Sequence, residues 1–213
     1  MDIFDYAMSA AMAGGGSGGS GGGVTNLENG PGEGAIQMSG AGNTASGLQS
    51  VALGSQNQAT DNRSMAFGEQ NTVSGYGGMA FGSGNTVQHW RAIAIGTWNQ
   101  PDSTSAIAIG SFCKTYGEDS VAIGYQLTAY HPRQMLCGQF NDATSIKSTT
   151  AYVFGNGTSD SKRSNAHTLD WSGNAWYAGS VECTALIMKS PNGTRYQITV
   201  DDSGTLSATT ITE

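Results

Sequence analysis

Charged residues are scarce in this sequence, and so are cysteine and proline. Lysine, arginine, aspartate and glutamate make up 12% of the 213 residues, and the formal net charge is −7. An acidic chain with so few cations is a poor match for a phosphate backbone, so we expect no nucleic-acid partner. No apolar run approaches the length of a membrane-spanning helix, so we expect no membrane insertion.

The few cysteines and histidines indicate neither a disulfide framework nor a metal site. The three cysteines are Cys113, Cys137 and Cys183. Their odd number and wide spacing favour buried small thiols. The histidines, His89, His131 and His167, lack the spacing of metal ligands. We therefore expect no metal and no cofactor.

The N-terminal residues combine a short apolar peptide with a flexible tether. We predict a particle anchor over residues 1–13 and a Gly/Ser-rich tether over residues 14–31. The apolar anchor residues are Ile3, Phe4, Tyr6 and Met8. A cloning linker or a frayed end is the alternative interpretation. The segment lacks the basic start and long apolar core of a secretory signal, so we expect synthesis in a cytoplasm.

Glycine, by contrast, is abundant and partly periodic. Eight glycines stand fourteen residues apart: Gly40, Gly54, Gly68, Gly82, Gly96, Gly110, Gly124 and Gly138. An apolar pentad precedes most of them, and asparagine follows most of them three residues later. A fixed short period is typical of a solenoid of stacked coils. We predict about eight coils over residues 32–145, with glycine and asparagine at turn positions of positive φ.

Strand alternation gives each pentad a large face and a small face. Ile93 and Ile95 share the large face, for example, while Ala94 lies on the opposite face. We expect the large side chains to fill the coil and the Ala/Ser face to pack against identical chains. A coil of fourteen residues encloses little apolar volume, which favours a homotrimer.

Residues 146–213 depart from the period and carry hairpin signals. Turns are predicted at Ser172-Gly173-Asn174, Pro191-Asn192-Gly193 and Asp202-Ser203-Gly204. We therefore predict a small, hairpin-rich C-terminal β module.

The fourteen-residue unit resembles the head repeat of trimeric autotransporter adhesins, the YadA-like head. The resemblance covers about residues 36–143 and is clearest in Gln49-Ser50-Val51-Ala52-Leu53-Gly54 and Asp119-Ser120-Val121-Ala122-Ile123-Gly124. It implies an all-β fold, a left-handed parallel β-roll with three chains around one axis, and binding to host surface molecules. The signal peptide, stalk and membrane barrel of that family have no counterpart in the sequence, so we expect no self-anchoring in an outer membrane.

The C-terminal residues are similar to fibre modules of bacteriophages and prophages, notably at Val153-Phe154-Gly155-Asn156-Gly157-Thr158. Together with the anchor peptide, this favours a homotrimeric virion fibre or spike made in the host bacterial cytoplasm. Its N-terminus would join a capsid or tail protein, and the fibre would adhere to a host cell-surface glycan or protein. A polysaccharide-cleaving tail spike and a bacterial surface adhesin head fragment are the alternatives. An ice-binding solenoid is disfavoured because the threonines drift in register.

Catalysis has no support in the sequence, and we expect no enzyme. Glycoside cleavage would need two carboxylates on either side of a sugar. The side chains of Asp201 and Asp202, adjacent in a turn, should point apart, and Asp170 is predicted to be a turn residue. Several aromatic residues, Phe112 among them, lie in or next to the turns, where exposed rings could bind sugars or proteins. The predicted host-binding residues are Trp90, Trp98, Tyr116, Tyr125 and Tyr130. The alternative is that these rings cap the thin core or fill the trimer interface.

Overall fold

The computed structural model describes residues 27–183 and 186–211. Regular structure in these residues is β-strand, apart from one 3-10 helix, Ala143–Ser145. The strands stack as a parallel solenoid of about nine turns, with a repeat of about fourteen residues. The predicted all-β solenoid is therefore confirmed.

One wall of the solenoid is built from five-residue strands. It begins with the antiparallel pair β1 (Leu27–Asn29) and β2 (Ile36–Met38). The strands that follow β2 are all parallel: β4 (Val51–Ser55), β6 (Met65–Glu69), β8 (Met79–Ser83), β10 (Ile93–Thr97), β12 (Ile107–Ser111), β14 (Val121–Tyr125) and β16 (Met135–Gln139). Each strand pairs in phase with the next coil, so that Gly96 lies opposite Gly82 and Gly110.

The second wall consists of two-residue strands, also parallel. They are β3 (Thr44–Ala45), β5 (Gln58–Ala59), β7 (Thr72–Val73), β9 (Thr86–Val87), β11 (Gln100–Pro101), β13 (Lys114–Thr115) and β15 (Thr128–Ala129). A coil therefore contains one long strand, one short strand and two turns.

The first wall continues beyond residue 145. A longer coil containing the 3-10 helix leads to β17 (Thr150–Asn156), which is parallel to β16 and places Gly155 opposite Gly138. Two antiparallel strands, β18 (Asn165–Asp170) and β19 (Ala175–Tyr177), complete this sheet. A separate antiparallel sheet contains β20 (Leu186–Lys189), β21 (Arg195–Val200) and β22 (Leu206–Thr210). The hairpins predicted around the three turns are present.

The assignment of the two pentad faces was wrong. Ala94, Ala108 and their counterparts in other coils are fully buried inside the roll, whereas Ile95 is 41% exposed on the outside. The coil is too narrow to hold two facing rows of Ile, Met or Phe, and its interior is filled by alanine, serine, asparagine and an occasional valine or leucine. The Ala/Ser face is therefore the core and cannot contact another chain.

The recurrent asparagines form a buried ladder, and their expected positive φ is not observed. Asn71 Oδ1 accepts hydrogen bonds from the backbone N of Asn85 at 3.1 Å and from Asn85 Nδ2 at 2.9 Å. Asn71 Nδ2 donates to the carbonyl oxygen of Gly82 at 2.8 Å. The residue before each asparagine takes the left-handed conformation instead, as Gln70 does at φ 55°. The asparagines satisfy backbone groups that the turns leave without a strand partner.

The periodic glycines are required by space as well as by conformation. Gly110 has φ 116°, and a Cβ placed there would lie 1.9 Å from the carbonyl oxygen of Gly124. The same approach recurs along the column, since a Cβ at Gly96 would lie 2.0 Å from the Gly110 oxygen. A side chain at any periodic glycine from Gly54 to Gly138 would push two coils apart, whereas a Cβ at Gly40, the first of the column, meets nothing within 4 Å.

Replacing Gly110 with alanine should lower the free energy of unfolding by about 3 kcal/mol or more, because a positive φ and a backbone clash act together. Gly179→Ala is the matched control, since a Cβ there meets nothing within 4 Å. Urea unfolding at one fixed protein concentration measures both variants. Equal stability of Gly110→Ala and Gly179→Ala would contradict the close approach of the coils.

Replacing Asn71 with alanine should cost about 2–4 kcal/mol of unfolding free energy, because buried donors and acceptors in neighbouring coils lose their partners. Gln70→Ala is the control: Gln70 is adjacent but exposed, and its amide bonds only the exposed Gln56. We expect this control to cost less than about 1 kcal/mol. Chemical denaturation compares the two, and a control as damaging as Asn71→Ala would show that the ladder carries no special stability.

Candidate functional site

The outer surface of the long-strand wall is a continuous apolar stripe, here called the apolar sheet face. It consists of Val51, Leu53, Met65, Phe67, Met79, Phe81, Ile93, Ile95, Ile107, Ile109, Val121, Ile123, Met135, Cys137, Tyr152 and Phe154. Parallel in-phase pairing places like residues above one another, and the rings of Phe67 and Phe81 stack with centroids 5.0 Å apart. A contiguous apolar surface of this length is typical of an assembly interface.

The apolar sheet face contains no aspartate, glutamate, lysine, arginine or histidine. The Tyr152 hydroxyl and the Cys137 sulfur lie 2.8 Å apart. This hydrogen bond is the main cause and burial the second cause that raise the pKa of Tyr152 to about 12. The phenol therefore stays neutral. Its neighbour His167 stacks on Tyr177 with ring centroids 4.4 Å apart.

One turn edge of the roll carries a second feature, here called the aromatic edge: Trp98, Phe112, Tyr125 and Phe140. Trp98, Phe112 and Phe140 occupy the turn position where the other coils have glutamine or glycine, with φ 54°, 55° and 42°. The Trp98 indole lies over Gly84, where a Cβ would come within 2.7 Å of the ring. Trp98 is 53% exposed and Phe112 is 45% exposed. The left-handed conformation belongs to the repeat, since Gln56, Gln70 and Gln126 take it at the same turn position. Bulky residues such as Trp98 seldom adopt it.

The rings of the aromatic edge contact one another toward the C-terminal end of the roll. The ring centroid of Tyr125 lies 6.2 Å from that of Phe112 and 5.1 Å from that of Phe140. The Arg163 guanidinium lies 5.7 Å from the Phe140 centroid and donates to the Gln126 carbonyl oxygen at 2.8 Å. Arg163 also pairs with Asp160, so the loop after β17 is fastened to this end of the edge.

The remaining predicted binding residues lie around the other turn of the coil. Tyr116 and Tyr130 stack with ring centroids 5.4 Å apart. Trp90, 62% exposed, packs at 5.5 Å against Tyr76, whose hydroxyl accepts a hydrogen bond from Arg63. The five predicted residues therefore form three groups: Trp98 with Tyr125, Tyr116 with Tyr130, and Trp90.

The family model of the YadA head domain repeat matches residues 45–71, 59–85 and 102–126, all within the solenoid. The solenoid therefore resembles a YadA-like β-roll head. YadA-like heads form homotrimers in general and belong to adhesins of the trimeric autotransporter type. No curated protein and no solved structure gives a match.

The remaining predictions concern the N-terminal anchor, the cysteines and a membrane-spanning helix. The anchor residues Ile3, Phe4, Tyr6 and Met8 lie outside the described residues. Of the cysteines, Cys113 is buried as expected, whereas Cys183 is exposed, contrary to expectation. Among the described residues, no helix is long and apolar enough to cross a membrane.

The aspartates considered for catalysis act as turn caps in the C-terminal region. Asp170 accepts hydrogen bonds from the backbone N of Ser172 and Asn174, and Asp201 from those of Ser203 and Thr205. Hydrogen bonds hold the pKa of both carboxyl groups below the usual value, led by the side chain of Asn174 for Asp170 and of Ser203 for Asp201. Both carboxylates are therefore fixed as acceptors.

Sequence reasoning missed two parts of this surface. Phe140 belongs to the aromatic edge but was not among the aromatic residues identified near the turns, and Phe112 was identified there but not chosen as a binding residue. The detectable signal was their position, two residues after a periodic glycine, which they share with Trp98. The apolar sheet face was missed because its residues were assigned to the interior.

Proposed function

We propose that this chain is the head of a homotrimeric adhesive fibre, in which three rolls pack through the apolar sheet face and exposed aromatic rings bind a host cell-surface glycan or protein. The observation that carries the proposal is the outward apolar stripe of a YadA-like roll. Burying such a stripe removes apolar area from water at about 25 cal/mol per Å², which is the main driving force of association.

Three identical chains suit this stripe for two reasons. The coil interior is already filled by alanine and asparagine, so no rearrangement within one chain can hide Ile95 or Ile109. The stripe is equally apolar in every copy and carries no charge that would select a different partner. Self-association therefore covers it. Oligomers of identical chains commonly close around a symmetry axis.

Ile109→Asp should abolish the trimer, because three carboxylates would be desolvated in one apolar interface. We expect the dissociation constant to rise on the order of 100-fold or more, which corresponds to about 2.7 kcal/mol. Lys114→Asp, on the short-strand wall of the same coil, is the matched control and should leave the trimer intact. Light scattering coupled to size exclusion reports the molecular mass.

A trimeric Ile109→Asp protein with wild-type thermal stability would contradict the assignment of the interface. The variant should still form the roll at low temperature, because Ile109 lies outside the coil core. Circular dichroism separates loss of assembly from loss of folding.

The aromatic edge is the proposed receptor-binding surface. Trp98, Phe112 and Tyr125 are exposed on one turn edge, and the rings of Phe112, Tyr125 and Phe140 contact one another. A row of rings offers flat apolar area of the kind that dominates binding hot spots. A host glycan or an extended peptide fits such a row better than a compact ligand does.

Trp98→Ala should weaken adhesion to receptor-bearing cells on the order of 10-fold or more without changing the trimer, because truncating a hot-spot ring costs about 2 kcal/mol. Tyr130→Ala, on the other turn, is the control and should adhere normally. Cell-binding assays with purified trimers test both variants. Unchanged adhesion of Trp98→Ala would reject the edge as the receptor site, and loss of the trimer would assign it to assembly.

The proposal includes no catalytic activity. Glycoside cleavage needs a carboxylic acid that holds its proton near the working pH, together with a second carboxylate across the sugar. Asp170 and Asp201 have lowered pKa values and cap separate turns, which supports a binding role over a polysaccharide-cleaving one.

The proposal leaves two candidates for the particle that displays the head: a virion and a bacterial cell. A virion fibre, made in the bacterial host and joined to a capsid or tail protein, stays a prediction. Its main support, the anchor peptide over residues 1–13, lies outside the described residues. A bacterial surface adhesin head is consistent with the same roll, apolar sheet face and aromatic edge.

A further inference from the structure

The C-terminal sheet of β20, β21 and β22 has one apolar face and one mostly polar face. Opposite residues of an antiparallel pair share a face, as do alternate residues along a strand. The first face, here called the C-terminal apolar face, comprises Leu186, Met188, Tyr196, Ile198, Val200, Leu206 and Ala208, with Thr210 at its end. The other face carries Lys189, Arg195, Gln197, Thr199, Ser207 and Thr209, with Ile187.

The C-terminal apolar face is uncovered within the described part of the chain. Leu206 is 70% exposed, Val200 63% and Met188 55%. Even the central strand, β21, is at most half-buried along its length. A small sheet gains stability in water when its apolar face is covered, and a partner chain would supply the cover that the described residues do not give.

The strand register of this sheet is fixed by its own turns. Asn192 Oδ1 accepts a hydrogen bond from the backbone N of Thr194, and Gly193 takes φ 88°. In the next turn Asp201 accepts from the backbone N of Ser203 and Thr205, and Gly204 takes φ 84°. Local chemistry therefore fixes the register that places the apolar residues on one face, before any partner is bound.

We propose that the C-terminal apolar faces of three chains pack on one another and form a second assembly interface, a closed prism of three sheets. This inference rests on the proposed trimer of the rolls. A trimeric roll would hold three copies of the sheet together at an effective concentration in the millimolar range. The sheet needs its cover in every molecule, and only further copies of the same chain are present in every assembly.

The composition of the two faces agrees with this partner. The C-terminal apolar face contains no charged residue, so it offers no charge complementarity to a foreign protein. Lys189 and Arg195 lie on the opposite face, which would point outward from the prism. The C-terminal module therefore acts as an assembly clamp, and its outward face is polar.

Hydrogen exchange of the full chain, resolved by mass spectrometry, tests the clamp. Ile198→Asp and Thr199→Asp place the same charge at successive positions of β21 on opposite faces. In the wild-type trimer we expect residues 186–211 to be protected. Ile198→Asp should speed their exchange on the order of 100-fold while the roll stays protected and trimeric. Thr199→Asp should exchange like the wild type.

Val200→Thr keeps the side-chain shape and replaces one methyl group with a hydroxyl. This milder variant tests the same face if Ile198→Asp does not fold. We expect a smaller increase in exchange, confined to residues 186–211. Rapid exchange of these residues in the wild-type trimer, or equal behaviour of Ile198→Asp and Thr199→Asp, would overturn the clamp.

Ile109→Asp separates this inference from the proposed function. If both are right, this variant should lose protection of residues 186–211 at low protein concentration and regain it as concentration rises. A trimeric Ile109→Asp protein would reject the roll interface itself. A monomeric variant whose residues 186–211 stay protected at every concentration would overturn the clamp and leave the roll trimer standing.

Discussion

The distance between successive coils at the glycine column governs the rest of the roll. The backbones approach so closely there that a Cβ at Gly110 would lie 1.9 Å from the next carbonyl oxygen. Tight stacking of a fourteen-residue coil leaves a narrow interior, and only small side chains such as that of Ala108 fit inside. The large apolar residues are consequently displaced to the outside, where a single chain cannot cover them.

The narrow interior also needs polar groups of the right shape. Asn57, Asn71 and Asn85 pair along the axis and satisfy the turn backbone without adding bulk. The ladder is interrupted at Cys113. Its backbone N donates to Asn99 Oδ1 at 3.0 Å and its Sγ donates to the Gly124 carbonyl oxygen at 3.3 Å, but a thiol offers no amide oxygen to the next coil. The aromatic edge spans this interruption, so the coils with the altered interior are also the ones with the proposed receptor surface.

Two parts of the chain present the same physical problem. The apolar sheet face and the C-terminal apolar face are both surfaces of amphipathic sheets, and the described residues leave both uncovered. In the assembly proposed above, identical copies would cover both faces. Such an assembly would also present several copies of the proposed receptor surface.

The sequence by itself determined the repeat, the coil boundaries near each periodic glycine, the all-β class and the C-terminal hairpins, because these follow from local period and turn chemistry. It placed Trp98 and Tyr125 at an exposed turn but could not group them with Phe112 and Phe140, since grouping requires the coil-to-coil register. It also could not tell which face of the Ile93-Ala94-Ile95 segment is inside, because alternation creates two faces and only the circumference of the closed coil selects between them. That selection was made by the tertiary structure: the coil has room for Ala94 and none for Ile95.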